Sequence, residues 1–317
     1  MSVPLEHVFA ILERQSAEVI AQALRNILDL SVKNDSGLYN LYLSLPGLCC
    51  KTLGGDPELA TGVTSAWENL YLGAYLLDTV ADEGEFGTDL GLIVTLSISC
   101  IPAARMLLLE HLNSEQGIET CNNILKDFDR ALLKVCVGQV KDLTEQEPTL
   151  EKCWEIASEN TGEIFALAAR SGARLCSENP KVISLFSDLG WHLGHLVQIG
   201  DDVNGLWLQD ETRSDLAYGK WTLPVSYAML VLPPPKQERL KEYLDLAKRD
   251  QYFEVAARRM IIEAGALFYL AAEADRHRQL ALKALADAIP ATTDRQDLLD
   301  FINLAMMWIT PNDSTKR

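Results

Sequence analysis

The sequence predicts an all-α fold, a large single-domain helical bundle over residues 1–317. Three observations carry the prediction. Apolar residues recur three and four apart along most of the chain. Alternating strand patterns are nearly absent. The breaks between periodic stretches, KNDSG, LGGDPE, EGEFG, SENP, VLPPPK and IPATTD, hold turn and stop residues.

Taken in order, LEHVFAILERQSAEVIAQALRNILDL predicts helix over 5–30. The same periodicity predicts helices over 62–82, 91–110, 118–140, 150–176, 181–208, 236–249, 251–288 and 294–309. The total is roughly ten helices, which suits a large bundle. LPPPK at 232–236 reads as a rigid corner inside one domain, because equally apolar helices flank it.

Composition narrows the function. The chain has 317 residues, 48% hydrophobic and 23% charged, with mean hydropathy near zero, so it reads as globular. A net charge of −17 repels phosphate backbones and anionic lipid, which argues against nucleic acid and membrane surfaces as partners. The most apolar stretch, GLIVTLSISCIPAARMLLL, is broken by Pro102 and Arg105, so stable membrane insertion is not expected. Seven cysteines, at 49, 50, 100, 121, 136, 153 and 176, form no CxxC pair or zinc-finger spacing. With no signal peptide in MSVPLEHVFAILERQ, they read as reduced core thiols of a cytoplasmic protein.

Two acidic clusters interrupt apolar helices. DTVADEGE, at 78–85, follows Tyr71, Leu72, Ala74, Tyr75, Leu76 and Leu77. Asp78 and Asp82 are four apart and share a helix face. Tyr71 and Tyr75 lie on the same stripe, and Gly73 and Ala74 leave room beside it, so the stripe reads as an aromatic-walled cavity ending in carboxylates. The alternative is a helix end spilling acids into a loop, which the negative C-terminal dipole disfavours. The second cluster is HLGHLVQIGDDVNGLW, at 192–207, where His195, Gln198 and Asp202 share a face and Asp201 precedes Asp202. Adjacent carboxylates inside a helix are costly without a bound cation. Here the alternative is a helix that ends at Gly200 with Asp201 as a cap.

Two such clusters in one all-α domain fit hard divalent cations, which take oxygen ligands; magnesium bridges carboxylates to substrate phosphates. Such ions offset the repulsion between an acidic protein and a diphosphate and stabilise diphosphate as a leaving group. A di-iron bundle needs two Glu-x-x-His pairs, and the chain has none. His192 and His195 read as packing or supporting residues.

The stretch QIGDDVNGLWLQDETRSDLAYGKWTLPVSYAM, at 198–229, resembles the second aspartate-rich region of the trans-isoprenyl diphosphate synthase (polyprenyl synthetase) family. Gln198, Asp201, Asp202, Asp215, Leu216, Gly219, Lys220, Thr222, Leu223 and Pro224 match in order. GQVKDL at 138–143, ENTGEIF at 159–165 and LGGD at 53–56 agree with it. The resemblance covers about residues 40–305 and implies the class I terpenoid synthase fold. It also implies magnesium, three ions, held by Asp78, Asp82, Asp201 and Asp202, with an allylic prenyl diphosphate as substrate. Tyr71, Ala74, Tyr75, Gln139, Asn160, Thr161, Gln198, Arg213 and Lys220 are the expected substrate-binding residues, and Asp78, Asp82, Asp201 and Lys220 the catalytic set. Small residues at Gly73 and Ala74 imply a chain of C15 or longer, and the family implies a homodimer.

Departures from the pattern are specific. The first motif, Asp-Asp-x-x-Asp in the family, is Asp78-Thr79-Val80-Ala81-Asp82, and the second ends in Gly205. The family's Lys-Thr-Gly is Asn160-Thr161-Gly162 here. Gly-Lys-Arg-x-Arg-Pro before LGGD has no counterpart in LPGLCCKTLGGD, and Arg-Arg-Gly after the first motif is EGEFGTD. The cations of these last two stretches hold isopentenyl diphosphate in the family. Without them a multiply charged anion has no partner in an acidic protein. The expectation is therefore an enzyme that ionises the allylic diphosphate and quenches the carbocation without isopentenyl diphosphate. Quenching is by cyclisation, as in a terpene synthase, or by transfer to another acceptor. Trp67, Tyr71, Tyr75, Trp191, Trp207 and Trp221 lie near the motifs and suit a cation. The alternatives are chain elongation with isopentenyl diphosphate and a non-catalytic regulatory subunit.

Overall fold

The computed structural model describes residues 3–15, 17–31, 44–83, 90–112, 118–207, 214–290 and 293–306, except the side chains of 3–8, 26–31 and 79–83. Every regular element among them is helical. In chain order they are α1 (Val3–Arg14), α2 (Glu18–Ser31), α3 (Leu45–Thr52), a 3-10 turn (Pro57–Ala60), α4 (Thr61–Glu83), α5 (Leu90–Leu112) and α6 (Ile118–Thr144). Then come α7 (Leu150–Ala157), a π turn (Ser158–Gly162), α8 (Glu163–Arg174), α9 (Pro180–Gly205), α10 (Asp215–Tyr218), α11 (Leu223–Val231), α12 (Pro234–Ala247), α13 (Gln251–Glu263), α14 (Ala266–Ala288) and α15 (Gln296–Ala305).

Four expectations are corrected. The helix over 5–30 is two, α1 and α2. The stretch 150–176 contains a π turn. The stretch 251–288 breaks at Gly265, whose φ of 87° is the left-handed geometry that ends a helix. Three helices, α3, α10 and α11, lie where no periodic segment was assigned. They are 8, 4 and 9 residues long, too short for a 3.6-residue period to declare itself.

The chain divides into two compact units. One comprises residues 1–132, 166–187 and 285–298; the other comprises 133–165, 188–284 and 299–317. In the first unit α4 packs along α5, with Val63, Ala66, Trp67, Leu70, Leu72 and Leu76 buried. Gly73 allows the close approach: a Cβ there would lie 3.0 Å from Cys100 Cβ and 3.2 Å from the Ser97 carbonyl. Ser97 Oγ donates to the Gly73 carbonyl at 2.6 Å, and Asn69 donates to the Cys100 carbonyl at 2.7 Å. The space at Gly73 is thus filled by α5, which corrects its reading as room for a long substrate chain. In the same unit buried Asp127 of α6 accepts from Arg174 Nε of α8 at 2.6 Å, with Arg170 beside it.

By length and composition α5 is apolar enough to cross a membrane, with a mean hydropathy of 2.0 over its most apolar window. Here one face of it, with Ile93, Leu96, Cys100, Ala104 and Leu107, is buried, and Pro102 sits inside it.

Glu68 is the exception in this core. It is 1% exposed, and neither carboxyl oxygen has a hydrogen-bond partner among the described residues. Burial pushes its carboxyl up to about 9, so it is a neutral acid at pH 7. An unfolded glutamate ionises near ~4.3. Between these values the folded state holds a proton that the unfolded state releases, so stability falls as pH rises through that window. The limiting slope is about 1.4 kcal/mol per pH unit for one group. Urea unfolding of Glu68→Met at pH 5 and pH 8 is expected to have a shallower pH dependence than wild type by roughly that slope. Equal slopes would mean that Glu68 is not buried as an acid.

In the second unit, Leu206, Leu216, Val225, Leu240, Leu244, Ala257 and Ile261 form one apolar cluster joining α10 to α14. Leu206, at the C-terminal end of the second acidic cluster, is part of it. Arg258 donates to the Leu206 carbonyl and pairs with Glu254, and Ser214 Oγ donates to Glu254 at 2.8 Å.

Candidate active site

The site in the second unit is built where the π turn meets α9. Two glycines allow the contact. A Cβ on Gly194 would lie 2.5 Å from the Thr161 carbonyl oxygen and 2.8 Å from Gly162 Cα. A Cβ on Gly162 would lie 2.9 Å from His195 Cε1. Backbone therefore rests on backbone, and Thr161 Oγ1 reaches Gln198 Oε1 at 2.6 Å.

From there the hydrogen bonds run in one direction. The Gln198 oxygen accepts from Thr161, so its amide nitrogen points the other way and donates to Asp202 Oδ1 at 2.7 Å. Asp202 Oδ2 accepts from the Leu223 N–H at 2.8 Å. Leu223 is the first residue of α11, whose N-cap, Thr222, makes no side-chain cap bond. Asp202 therefore supplies from α9 the acceptor that this helix start lacks locally. Burial pushes the Asp202 carboxyl up to about 7, against the two hydrogen bonds and Lys220. Both its oxygens are engaged within the fold. Its neighbour Asp201, about 100° further around the helix, is exposed.

Gly219, at a φ of 76°, ends α10 and turns the chain into Lys220, Trp221 and Thr222. Lys220 Nζ lies 3.6 Å from Asp215 Oδ1. The missing third aspartate of the second motif has a steric counterpart: a Cβ on Gly205 would lie 1.9 Å from Asp215 Oδ2. The Asp215 carboxylate occupies that space.

On α6, Gly138 lets the π turn lie close, since a Cβ there would meet Asn160 Oδ1 at 2.0 Å. Asn160 and Gln139 approach at 3.5 Å. Gln139 Nε2, Asn160 Oδ1 and Thr222 Oγ1 are buried and have no hydrogen-bond partner among the described residues. Lys141 pairs with Glu159 at 2.7 Å.

The histidines sit behind this chain. His195 is 1% exposed, stacks on His277 at 4.6 Å between ring centres, and contacts Ser158 Oγ through Nε2 at 3.0 Å. His192 Nδ1 lies 3.0 Å from His277 Nδ1. Burial pushes His192 and His195 down to about 4, so both are neutral at pH 7. His195 supports the π turn through the Ser158 contact, and His192 packs on His277. His277, Ser158 and the π turn itself carry no signal that the sequence reading used.

The first acidic cluster is in the other unit, on α4. Tyr71 stacks on buried Trp67 at 5.6 Å, Tyr71 and Ala74 are half-buried, and Tyr75 and Asp78 are exposed. Asp82 is within α4, but its side chain lies outside the described residues, as does all of Arg213. Among the described residues no three His, Cys, Asp or Glu side chains form a metal-holding group by themselves.

Several known proteins resemble the chain. A short chain isoprenyl diphosphate synthase of Methanothermobacter thermautotrophicus is 27% identical over 255 residues, 76% of this chain and 78% of that protein. A (2E,6E)-farnesyl diphosphate synthase of Mycobacterium tuberculosis is 29% identical over 113 residues, 33% of this chain and 32% of that protein. Among solved structures, a geranylgeranyl pyrophosphate synthetase from Pyrococcus horikoshii Ot3 matches with a TM-score of 0.81 at 20% identity, covering 98% of this chain and 95% of that one. A polyprenyl synthase from Caulobacter crescentus CB15, complexed with calcium and isoprenyl diphosphate, matches with a TM-score of 0.74 at 21% identity, covering 95% and 97%. These structures share the all-α class I isoprenoid synthase fold. The polyprenyl synthetase family model matches residues 94–260, more than half of the sequence, and the chain belongs to that family.

Proposed function

We propose that the chain is a prenyltransferase that lengthens an allylic prenyl diphosphate by condensation with isopentenyl diphosphate. The observation that carries the reading is the similarity over 255 residues to a short chain isoprenyl diphosphate synthase. It favours elongation over the cyclising reading that the missing basic residues suggest. That second reading keeps one specific support. The basic stretches that hold isopentenyl diphosphate in the family have no counterpart in LPGLCCKTLGGD and EGEFGTD, which weakens a site for the second diphosphate.

In this reading Asp78, Asp82 and Asp201 hold magnesium, three ions. Carboxylates are the hard oxygen donors that magnesium takes, and substrate phosphate would supply further oxygen ligands. The calcium in the Caulobacter crescentus complex supports a hard divalent cation. When bound, the ions screen the diphosphate from the acidic protein and stabilise it as a leaving group. Asp202 acts as an anchor rather than a ligand, holding the Lys220–Thr222 turn through Leu223. Lys220 and Arg213 are the cations assigned to the diphosphate, and Gln139 Nε2 and Thr222 Oγ1 are donors available to its oxygens. Tyr71, Ala74 and Tyr75 line the prenyl chain. A second copy of the chain is the proposed partner. Leu133, Val137 and Val140 stand exposed on α6 at i, i+4 and i+7, a stripe that a homodimer covers and a solution mass reads out.

The test is mass-spectrometric product analysis with magnesium and C10, C15 and C20 allylic diphosphates. A longer diphosphate, formed only when isopentenyl diphosphate is added, is the expected result. A hydrocarbon or alcohol formed without it would replace elongation by the cyclising reading.

A further inference from the structure

Two cysteines 126 positions apart meet in the first unit. Cys50 lies in α3 and Cys176 just past α8, and their sulfurs are 3.1 Å apart. Cys50 Sγ also lies 3.4 Å from the Asp56 carbonyl oxygen, and Cys176 Sγ 3.6 Å from the Cys50 carbonyl oxygen. Gly55 closes over the pair: a Cβ on it would fall 2.1 Å from Cys176 Sγ and 2.8 Å from Cys50 Sγ. Cys50 is fully buried, whereas Cys176 is partly exposed.

We propose that Cys50 and Cys176 form a redox-active thiol pair that a peroxide closes to a disulfide, cross-linking α3 to the segment after α8. The surroundings set the order of events. With Cys50 as donor, its S–H and the Gly55 backbone hold the Cys176 thiol below its ordinary range, while the same contact and burial hold Cys50 above it. Cys176 is therefore the sulfur that reacts first. Its thiolate attacks the O–O bond, takes one oxygen as sulfenic acid and releases hydroxide. The hydroxide released there takes the Cys50 proton as water; the Cys50 thiolate then attacks the Cys176 sulfur and displaces hydroxide, which takes up the proton Cys176 had lost. The balance is two thiols and one hydrogen peroxide giving one disulfide and two waters. Cys49 and Cys100 are buried, and burial pushes their thiols up, so neither competes.

The experiment treats the reduced full-length protein with hydrogen peroxide, blocks remaining thiols and maps peptides without reduction. Cys136, exposed on α6, reports that the oxidant has acted. The expected result is a Cys50–Cys176 peptide pair as the main intramolecular cross-link, with the melting temperature raised by several degrees. Cys50→Ser is expected to leave Cys176 as a sulfenic acid that a dimedone probe captures. Free Cys50 and Cys176 after oxidation of Cys136 would overturn the proposal. So would a cross-link through Cys49, or disulfides only between chains. The wild-type map decides the matter alone should Cys50→Ser fail to fold.

Discussion

Asp201→Ala is expected to lower turnover of an allylic diphosphate by about two to four orders of magnitude while leaving the melting temperature unchanged. Asp201 is exposed near the C-terminal end of α9, so removing its carboxylate opens no cavity in the core. What it removes, in the proposed reading, is an oxygen donor at the point where charge accumulates on the departing diphosphate. Asp78→Ala is expected to act alike, and Asp210→Ala to do little. The neighbouring substitution has the opposite profile. Asp202→Ala leaves the Leu223 N–H and the Gln198 amide without their acceptor, at a cost of about 1–3 kcal/mol for each buried group. Thermal melts and steady-state kinetics on the variants separate the two roles. Full turnover in Asp201→Ala and Asp78→Ala together would remove the metal assignment.

Gly194→Ala is expected to destabilise the protein by about 1–3 kcal/mol or more and to weaken substrate binding in parallel. The added methyl meets the Thr161 carbonyl at 2.5 Å and Gly162 Cα at 2.8 Å, and these are backbone atoms that cannot swing aside. Separating the π turn from α9 stretches the Thr161–Gln198 bond, and with it the chain that orients Asp202. The control is the same substitution elsewhere. Gly47, inside α3, has nothing within 4 Å of a built Cβ, and alanine there is expected to stabilise by about 0.5–1 kcal/mol through helix propensity. Urea midpoints moving in opposite directions for the two variants are the expected outcome. A Gly194→Ala midpoint equal to wild type would mean that α9 and the π turn are not in contact.

Local order was the legible part of this fold. Helices α4, α5 and α9 lie within a few residues of their predicted bounds, because each is long enough to repeat its apolar face several times. The Gln198–Asp202 contact was legible for the same reason, being one helical turn long. The partners on either side of it were not. Thr161 reaches Gln198 across 37 positions and Leu223 reaches Asp202 across 21, and no periodicity encodes such distances. The similarity to the polyprenyl synthetase family marked Asp202 as a ligand, whereas burial and two hydrogen bonds give it a part in holding the turn. Gly73 misled for a related reason. A missing side chain reads as space in a sequence, but in a core the neighbouring helix claims that space. The cysteines, scattered in sequence, hid a pair that only the meeting of α3 with the segment after α8 brings together.

The π turn at 158–162 holds one residue more than an α-turn would use. Each residue advances an α-helix by about 100°, so the chain from Glu163 onward is rotated by that amount relative to an uninterrupted helix. That rotation aims Glu163 at Lys134, 2.8 Å away, and turns Phe165 into the interior, where it is fully buried. The distance along the chain from Trp154 to Phe165 therefore works as a phase setting. Its effect comes from residue count alone, so a shortened turn would re-aim every side chain after it without altering the character of any of them.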